Sequence, residues 1–309
     1  MTIAAHLWRR RFPSLPPGEV RLFETEPETR VRAVCHWQPR PQDQPTLVLL
    51  HGLEGSSDSG YMKGTAEIAW MAGFNVVRLN QRNCGESETL TPTLYHSGLS
   101  CDIRSVLLEL VERDRLRQLF AAGFSMGGNL VLKMAGEFST NAPVEIKGFV
   151  AIAPALNLAA CADALAEPRN FLYERHFVRR LKARIRKKAA LLPERYVVNG
   201  IHKIRSVREY DDVLTAPHSG FRDASDYYAR ASAGQLLAKI ARPTLILAAE
   251  DDPFVPFPSI ATAVRNANPL IKLVATRRGG HCAFISSSAE ERFWSEARIV
   301  DFCRATEVR

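Results

Sequence analysis

Strand-like and helix-like segments alternate along the chain after residue 45, and this order constrains the fold more than any other feature. Short apolar runs predict strands at 46–50, 74–79, 119–124, 148–153, 243–249 and 270–276. Amphipathic patterns predict helices near 61–72, 100–113, 126–138, 257–267 and 289–304. Two earlier runs, 20–25 and 31–37, predict a leading antiparallel pair. The alternation is typical of an α/β fold with a mainly parallel central sheet and helices on both faces.

A longer helical pattern interrupts the alternation between about residues 155 and 215. We predict a single domain spanning 1–309, with the segment 156–215 as a helical cap insertion within it. Apolar residues recur there at helical spacing, with Arg and Lys on the opposite face. The apolar face is formed by Val178, Leu181, Ile185 and Leu192. Such an insertion either covers a site at the sheet edge or forms a surface helix pair with no role in recognition, and the sequence leaves both open.

Positive charge is concentrated in one stretch of the chain. The net charge of the whole protein is +8, yet residues 169–208 contain thirteen Lys or Arg against two acidic residues. The remainder is therefore slightly acidic, which argues against a nucleic-acid-binding protein. A basic amphipathic helix can instead lie against anionic lipid headgroups, so weak membrane-surface contact through the cap is retained as an alternative.

Composition and cysteine spacing bear on the compartment and on cofactors. Apolar residues make up 46% of the sequence, but no run is long enough to predict a transmembrane helix. The N-terminal order, a short apolar start followed by three arginines, is the reverse of a signal peptide. Six cysteines without a CxxC pair indicate reduced thiols rather than a zinc site or a disulfide scaffold. We therefore predict a cytoplasmic protein with no metal and no cofactor.

One serine lies among three glycines between a predicted strand and a predicted helix, in the stretch LFAAGFSMGGNL at 119–130. Its core, GFSMG, fits the G-x-S-x-G pattern of a nucleophile elbow. Gly123 and Gly127 leave room for neighbouring backbone, and the sharp turn presents the Ser125 hydroxyl at the carboxyl edge of the sheet. A plain turn is the alternative, but the flanking strand and helix favour a nucleophile.

A serine hydroxyl is a poor nucleophile without a base and a group that orients the base. After this kind of elbow the acid and then the histidine follow in the chain. His281 comes after the last predicted strand through a Gly-Gly turn, and two adjacent aspartates end the strand before it. Asp252 fits a D-x-x-V-P pattern, so we favour it as the acid. Asp251 remains the alternative, with a turn-capping role if Asp252 is the acid.

The sequence HGLEG at 51–55 follows the first predicted core strand and leads through a loop into a helix. Backbone amides from such a loop and from the residue after the nucleophile form an oxyanion hole in this arrangement. The N–H groups of Leu53 and Met126 are therefore the predicted donors to the oxygen that becomes negative in the transition state. His51 is interpreted as structural.

The motifs HGLEGS, YHSG, GFSMGGN, REYDD, DASDYY, DDPFVP and GGH together resemble the α/β-hydrolase superfamily. Within it, the chain is similar to the YheT-like hydrolases, which are related to eukaryotic α/β-hydrolase-domain esterases and yeast medium-chain ester synthases. The resemblance runs from about residue 45 to the C-terminus. It implies an α/β-hydrolase fold, with Ser125 as nucleophile, Asp252 as acid and His281 as base.

These observations predict a serine hydrolase that cleaves carboxylic esters with short- to medium-chain acyl groups through an acyl-enzyme. The expected partner is a small-molecule acyl ester. Acyl transfer to an alcohol would use the same residues and is the nearest alternative. A ligand-binding protein that keeps the fold and the three residues without turnover is the alternative from another class. Chain length and oligomeric state are not determined by the sequence.

Overall fold

A computed structural model of the protein describes residues 10–289 and 291–307, and the sequence-based interpretation of the first nine residues lies outside them. Eight strands form one sheet in the order β1-β2-β4-β3-β5-β6-β7-β8. They are β1 (Glu19–Glu26), β2 (Thr29–His36), β3 (Thr46–Leu50), β4 (Asn75–Leu79), β5 (Leu119–Phe124), β6 (Ile146–Ile152), β7 (Thr244–Ala249) and β8 (Ile271–Thr276). All six core strands and both leading strands occur within two residues of their predicted bounds.

The sheet is mainly parallel, which confirms the predicted α/β class. β1 pairs antiparallel with β2, and β2 pairs antiparallel with β4. The other neighbouring strands, from β4 through β3 to β8, are parallel. Parallel neighbours need a crossover connection, and most of the crossovers here contain a helix. As a result the carboxyl ends of six strands lie along one edge of the sheet.

The helices that complete the layers agree with the sequence pattern. They are α1 (Gly60–Met71), α2 (Ser100–Glu112), α3 (Met126–Phe138), α4 (Leu158–Leu165), α5 (Phe171–Leu191), α6 (Val207–Tyr210), α7 (Ala216–His218), α8 (Ala224–Ala231), α9 (Phe257–Arg265) and α10 (Trp294–Glu307). A π-helical turn, Asp211–Thr215, joins α6 to α7. The last helix begins five residues later than predicted.

Alternation along the buried strands places a core on each face of the sheet. In β3, Leu47 and Leu49 pack in a cluster with residues of α1 and α10. Val48 and Leu50, on the opposite face, pack in a second cluster with residues of α2, α3 and α9. The near-continuous apolar runs of the strands are explained by this two-sided burial.

Helix α5 is the main element of the segment 156–215, which we call the cap segment. Its residues Val178, Leu181 and Ile185 are at most 5% exposed, as their spacing predicts. Leu192 lies one residue beyond the end of the helix and is half-buried. The apolar side of α5 therefore packs against the body of the domain rather than facing water.

Two basic residues of α5 are turned inward, although the sequence pattern places Arg and Lys on the face opposite the apolar one. Lys188 is buried, and its Nζ donates to the backbone oxygens of Glu88, at 2.7 Å, and Thr91. Burial lowers the pKa of Lys188 to about 8. The side chain of Arg184 is 12% exposed and reaches the loop after β3. Long basic side chains can cross the flank of a helix in this way because their stems are apolar.

Among the described residues, no helix combines the length and the apolar character that a membrane span requires.

Candidate active site

Three side chains meet at the carboxyl edge of the sheet because the strands that precede them are parallel. Ser125 follows β5, Asp252 follows β7 and His281 follows β8. In the sheet these strands lie in the order β5, β6, β7, β8, so residues far apart in the chain come together. The structure thus brings together all three residues that the sequence singled out.

The turn at Ser125 is strained and very tightly packed. Ser125 has φ +54° and ψ −117°, a region that residues with a side chain seldom adopt. A Cβ on Gly123 would lie 2.2 Å from the Gly127 oxygen, and a Cβ on Gly127 would lie 2.4 Å from the His51 oxygen. Only glycine fits at both positions, and the close approach holds the serine at the edge of the sheet.

A continuous hydrogen-bonded chain joins the three side chains. The Ser125 Oγ lies 2.8 Å from His281 Nε2, and His281 Nδ1 lies 2.9 Å from Asp252 Oδ2. With the ring proton on Nδ1, His281 donates to Asp252 and accepts from the serine hydroxyl. The side chains of His281 and Asp252 are only 12% and 2% exposed. Water therefore competes weakly for these hydrogen bonds.

The two adjacent aspartates have different partners. Asp252 Oδ1 accepts the amides of Phe254 and Val255 at 2.9 and 3.0 Å, which leaves Oδ2 directed at His281. Asp251 Oδ1 instead accepts the amides of Gly279 and Gly280 at 2.7 and 2.8 Å. Asp252 thus contacts the imidazole, while Asp251 braces the turn that carries it.

Burial and a neighbouring carboxylate act in opposite directions on His281. Burial alone would lower its pKa, but the charge and hydrogen bond of Asp252, together with Cys282, outweigh burial and raise the pKa of His281 well above its ordinary value. For the buried His51, burial outweighs the Gly52 carbonyl and the charge of Glu54, and it lowers the pKa to about 4. Both ring nitrogens of His51 contact backbone atoms. Nδ1 lies 2.8 Å from the Gly52 oxygen, and Nε2 lies 3.1 Å from the Gln81 nitrogen.

An apolar cavity of about 120 Å³ opens beside the serine. Leu53 and Met126, the predicted amide donors, line it together with Ser125 and His281. The cap segment supplies much of the remaining wall: Leu158, Cys161, Ala162, Leu165, Phe177, Leu181, Arg184, Val207, Tyr210, Asp211 and Thr215. The cap segment therefore forms part of the wall of the cavity beside the serine.

Several motif residues turn out to brace the cavity rather than to carry chemistry. Tyr227, in DASDYY, accepts the Ser97 amide through its hydroxyl at 2.8 Å. Asp211, in REYDD, accepts the Tyr228 hydroxyl at 2.8 Å, and burial raises the pKa of Asp211 to about 6. His96 packs edge-on against Tyr227 and is half-buried, and desolvation of its ring lowers its pKa to about 3.

Sequence reasoning missed a buried ion pair next to the cavity. Glu54 lies directly after Leu53 and pairs with Arg184 of α5, and Tyr95 of the YHSG motif donates to the same carboxylate. Glu54 and Tyr95 both lie in motifs already noted, which was an available signal. No such signal pointed to Arg184, because the segment 169–208 contains twelve other basic residues.

The described residues contain no group of three or more His, Cys, Asp or Glu side chains arranged to hold a metal ion.

Comparison with known proteins identifies the family to which the chain belongs. The sequence profile of the α/β hydrolase fold family matches residues 45–288. The chain belongs to this family, and it is a hydrolase whose curated relatives carry esterase and lipase names.

Among these relatives, YheT of Escherichia coli is 33% identical over 272 residues, covering 86% of this chain and 79% of the relative. The phospholipase ABHD3 of Mus musculus is 30% identical over 243 residues. That match covers 78% of this chain but 59% of ABHD3, so the chain spans less than two thirds of that relative. The solved esterase Pf2001 of Pyrococcus furiosus has a TM-score of 0.61 and 18% identity, covering 97% of both chains, and supports the fold alone.

The two aspartates are predicted to affect the His281 ring differently. Asp252→Asn should lower the pKa of His281, because burial then acts with no carboxylate to oppose it. Asp251→Asn should leave that pKa near its wild-type value, because its carboxylate binds amides of the 279–280 turn. NMR titration of the ring in the wild type and both variants measures the difference. A larger shift with Asp251→Asn would assign the orienting role to that residue.

Proposed function

We propose that this protein is a serine hydrolase that cleaves carboxylic esters with short- to medium-chain acyl groups. The observation that carries the proposal is the hydrogen-bonded chain from Asp252 through His281 to Ser125, whose serine end lies at an apolar cavity. A buried base within 2.8 Å of a strained serine is the arrangement that activates a hydroxyl group for attack on an acyl carbon. The esterase and lipase names of the curated relatives support the same reaction class.

In the proposed reaction, His281 Nε2 accepts the proton of Ser125 as Oγ bonds to the acyl carbon. The carbonyl oxygen becomes negative and receives hydrogen bonds from the Leu53 and Met126 amides. The tetrahedral intermediate collapses with loss of the alcohol, which takes the proton from the His281 cation that Asp252 stabilises. Water then attacks the acyl-enzyme by the same proton transfers and releases the acid. Because His281 must start neutral, its raised pKa makes turnover increase with pH.

The dimensions of the cavity limit the acyl group. Its volume is about 120 Å³, and apolar side chains such as Leu158, Leu181 and Phe254 dominate its wall. An engineered apolar cavity of about 150 Å³ in another protein holds benzene. By that comparison the cavity accommodates an acyl group of roughly four to six carbons.

Substitution of the nucleophile tests the proposal directly. Ser125→Ala should abolish hydrolysis of p-nitrophenyl butyrate, with turnover reduced by a factor on the order of 10⁵ or more. A fluorophosphonate probe should label the wild type and not the variant, because labelling requires an activated serine. Thermal unfolding should show little change, since only one hydroxyl group is lost. Labelling without turnover would instead support acyl transfer to an alcohol, checked by adding ethanol and measuring ethyl ester.

The wall formed by α5 should set the dependence on acyl length. Leu181→Ala should raise KM more for hexanoate than for acetate esters, because each CH₂ that loses an apolar partner forfeits about 0.8 kcal/mol. Val178→Ala is the matched control, since Val178 is equally buried on the same helix but does not line the cavity. Steady-state kinetics over a series of ester lengths measures both. Equal effects of Leu181→Ala at every length would assign this residue to core packing alone.

We also propose weak contact between the solvent face of α5 and anionic lipid. Phe171 and Leu172 at the start of the helix are 57% and 72% exposed, and Arg175 and Arg179 next to them are exposed as well. Apolar side chains beside cations match the headgroup boundary of a bilayer. Tyr173, near the start of α5, packs against Phe254, which lines the cavity, so a lipid ester bound at this end of the helix would lie near the cavity.

Vesicle sedimentation tests this contact. Wild-type protein should sediment with vesicles that contain anionic phosphatidylserine and remain in solution with neutral phosphatidylcholine vesicles, and added salt should weaken the binding. Arg175→Glu with Arg179→Glu should abolish sedimentation. Arg113→Glu with Arg117→Glu makes the same charge change at the opposite edge of the sheet and should not. Equal sedimentation of both double variants would contradict the assignment of the contact to α5.

A further inference from the structure

The carboxylate of Glu54 is buried directly beside the amide that we assign to the oxyanion hole. Glu54 follows Leu53 in the loop after β3 and is only 5% exposed. Its backbone has φ +56°, a left-handed conformation that is unfavourable for a residue with a side chain. Something outside the loop must therefore hold this residue in place.

Arg184 of α5 holds the carboxylate at two points. Its Nε donates to Glu54 Oε1 at 2.7 Å, and its Nη2 donates to Oε2 at 2.9 Å. The Tyr95 hydroxyl donates to Oε1 at 2.7 Å, and the Arg184 guanidinium lies over the Tyr95 ring at 5.3 Å. A two-point guanidinium–carboxylate contact fixes direction as well as distance, so it restrains the rotation of the loop.

Further contacts of the same groups extend the restraint to the backbone. Arg180, one turn earlier in α5, donates to the Glu54 carbonyl oxygen at 2.8 Å. Arg184 also donates through Nη1 to the Asn83 carbonyl oxygen in the loop after β4. Glu54 is thus tied directly to α5 and to Tyr95, and α5 fixes its main chain as well as its side chain.

The opposite charges of Glu54 and Arg184 make the separation of the two side chains unfavourable. Burial alone would raise the pKa of Glu54, but Arg184 outweighs that effect and leaves the pKa below its ordinary value. The carboxylate therefore stays ionised while buried. A buried charge that loses its partner is strongly unfavourable, so the loop would have to move Glu54 toward water if α5 withdrew Arg184.

We propose that Glu54 and Arg184 are positioning residues that hold the Leu53 amide in the oxyanion hole. The proposal rests on the esterase function proposed above and makes α5 part of the catalytic apparatus as well as a wall of the acyl pocket. Displacement of α5 would turn the Leu53 amide away from the developing oxyanion. Turnover would then depend on whether α5 is in place, even for an ester too short to fill the cavity.

The test compares Arg184→Gln with Arg186→Gln, a residue of the same helix that is exposed to solvent. Each variant is assayed with p-nitrophenyl acetate at a temperature where circular dichroism shows it folded. Arg184→Gln should lower kcat about 10- to 100-fold, within the effect of losing one oxyanion donor, and change KM by less than about twofold. Arg184→Lys should recover part of the loss, and Arg186→Gln should match the wild type.

Two further measurements separate positioning from stability. Tyr95→Phe keeps the ring and removes only the hydroxyl that binds Glu54, so it should fold and still lower kcat. Affinity for a trifluoromethyl ketone, which forms a tetrahedral oxyanion adduct with the serine, should fall in proportion to kcat/KM. A role in stability alone would lower the unfolding temperature without this proportional loss.

The outcomes distinguish this proposal from the function on which it rests. Wild-type protein that neither hydrolyses esters nor reacts with a fluorophosphonate would overturn both. An active wild type together with unchanged kcat in folded Arg184→Gln and Tyr95→Phe would overturn only the positioning role.

Discussion

The close packing of the turn at Ser125 is the constraint on which the other features depend. A Cβ on Gly127 would lie 2.5 Å from the Leu50 oxygen, so the start of α3 sits directly against the end of β3. This contact forces the strained backbone of Ser125 and brings the loop after β3 beside its hydroxyl. The parallel sheet then adds the ends of β7 and β8 at the same edge. Without the tight turn, the serine would not reach His281.

Two buried carboxylates organise the charge around that serine. Asp252 faces His281 on the side of β7 and β8, and Glu54 faces Arg184 on the side of the cap. Each carboxylate is buried, and in each pair the partner carries or can acquire a positive charge. A buried charge with a well-oriented partner resists displacement, because separation would leave it unpaired. One partner of each pair, His281 and Arg184, lines the apolar cavity, so two electrostatic contacts border the site.

Helix α5 of the cap segment combines two surfaces. Leu181 and Arg184 are three residues apart and therefore share one side of the helix, where both line the cavity. Arg184 also reaches the loop after β3 from this side, whereas Arg175 faces solvent. A change on the solvent side can be tested while the inner side remains intact.

Most of the fold was predictable from local features of the sequence. Hydrophobic runs and turn chemistry are local properties, so the strands from β3 to β8, the turn at Ser125 and the late histidine could all be located along the chain. The parallel order of the strands also made it predictable that Ser125, His281 and one of two aspartates would share an edge. The D-x-x-V-P pattern favoured Asp252 over Asp251, but it left the direction of the two side chains open, because neighbouring residues in a turn can reach different partners.

What the sequence alone determined was therefore the class of fold and the identity of the candidate nucleophile and base. Only the tertiary structure decided that Asp252 reaches His281 and Asp251 binds the turn. It also decided that Arg184 pairs with Glu54, which lies 130 residues earlier in the chain. Nothing in the local sequence distinguishes Arg184 from the other twelve basic residues of the segment 169–208. Its role arises from the packing of α5 over the sheet edge, which depends on contacts distant in sequence.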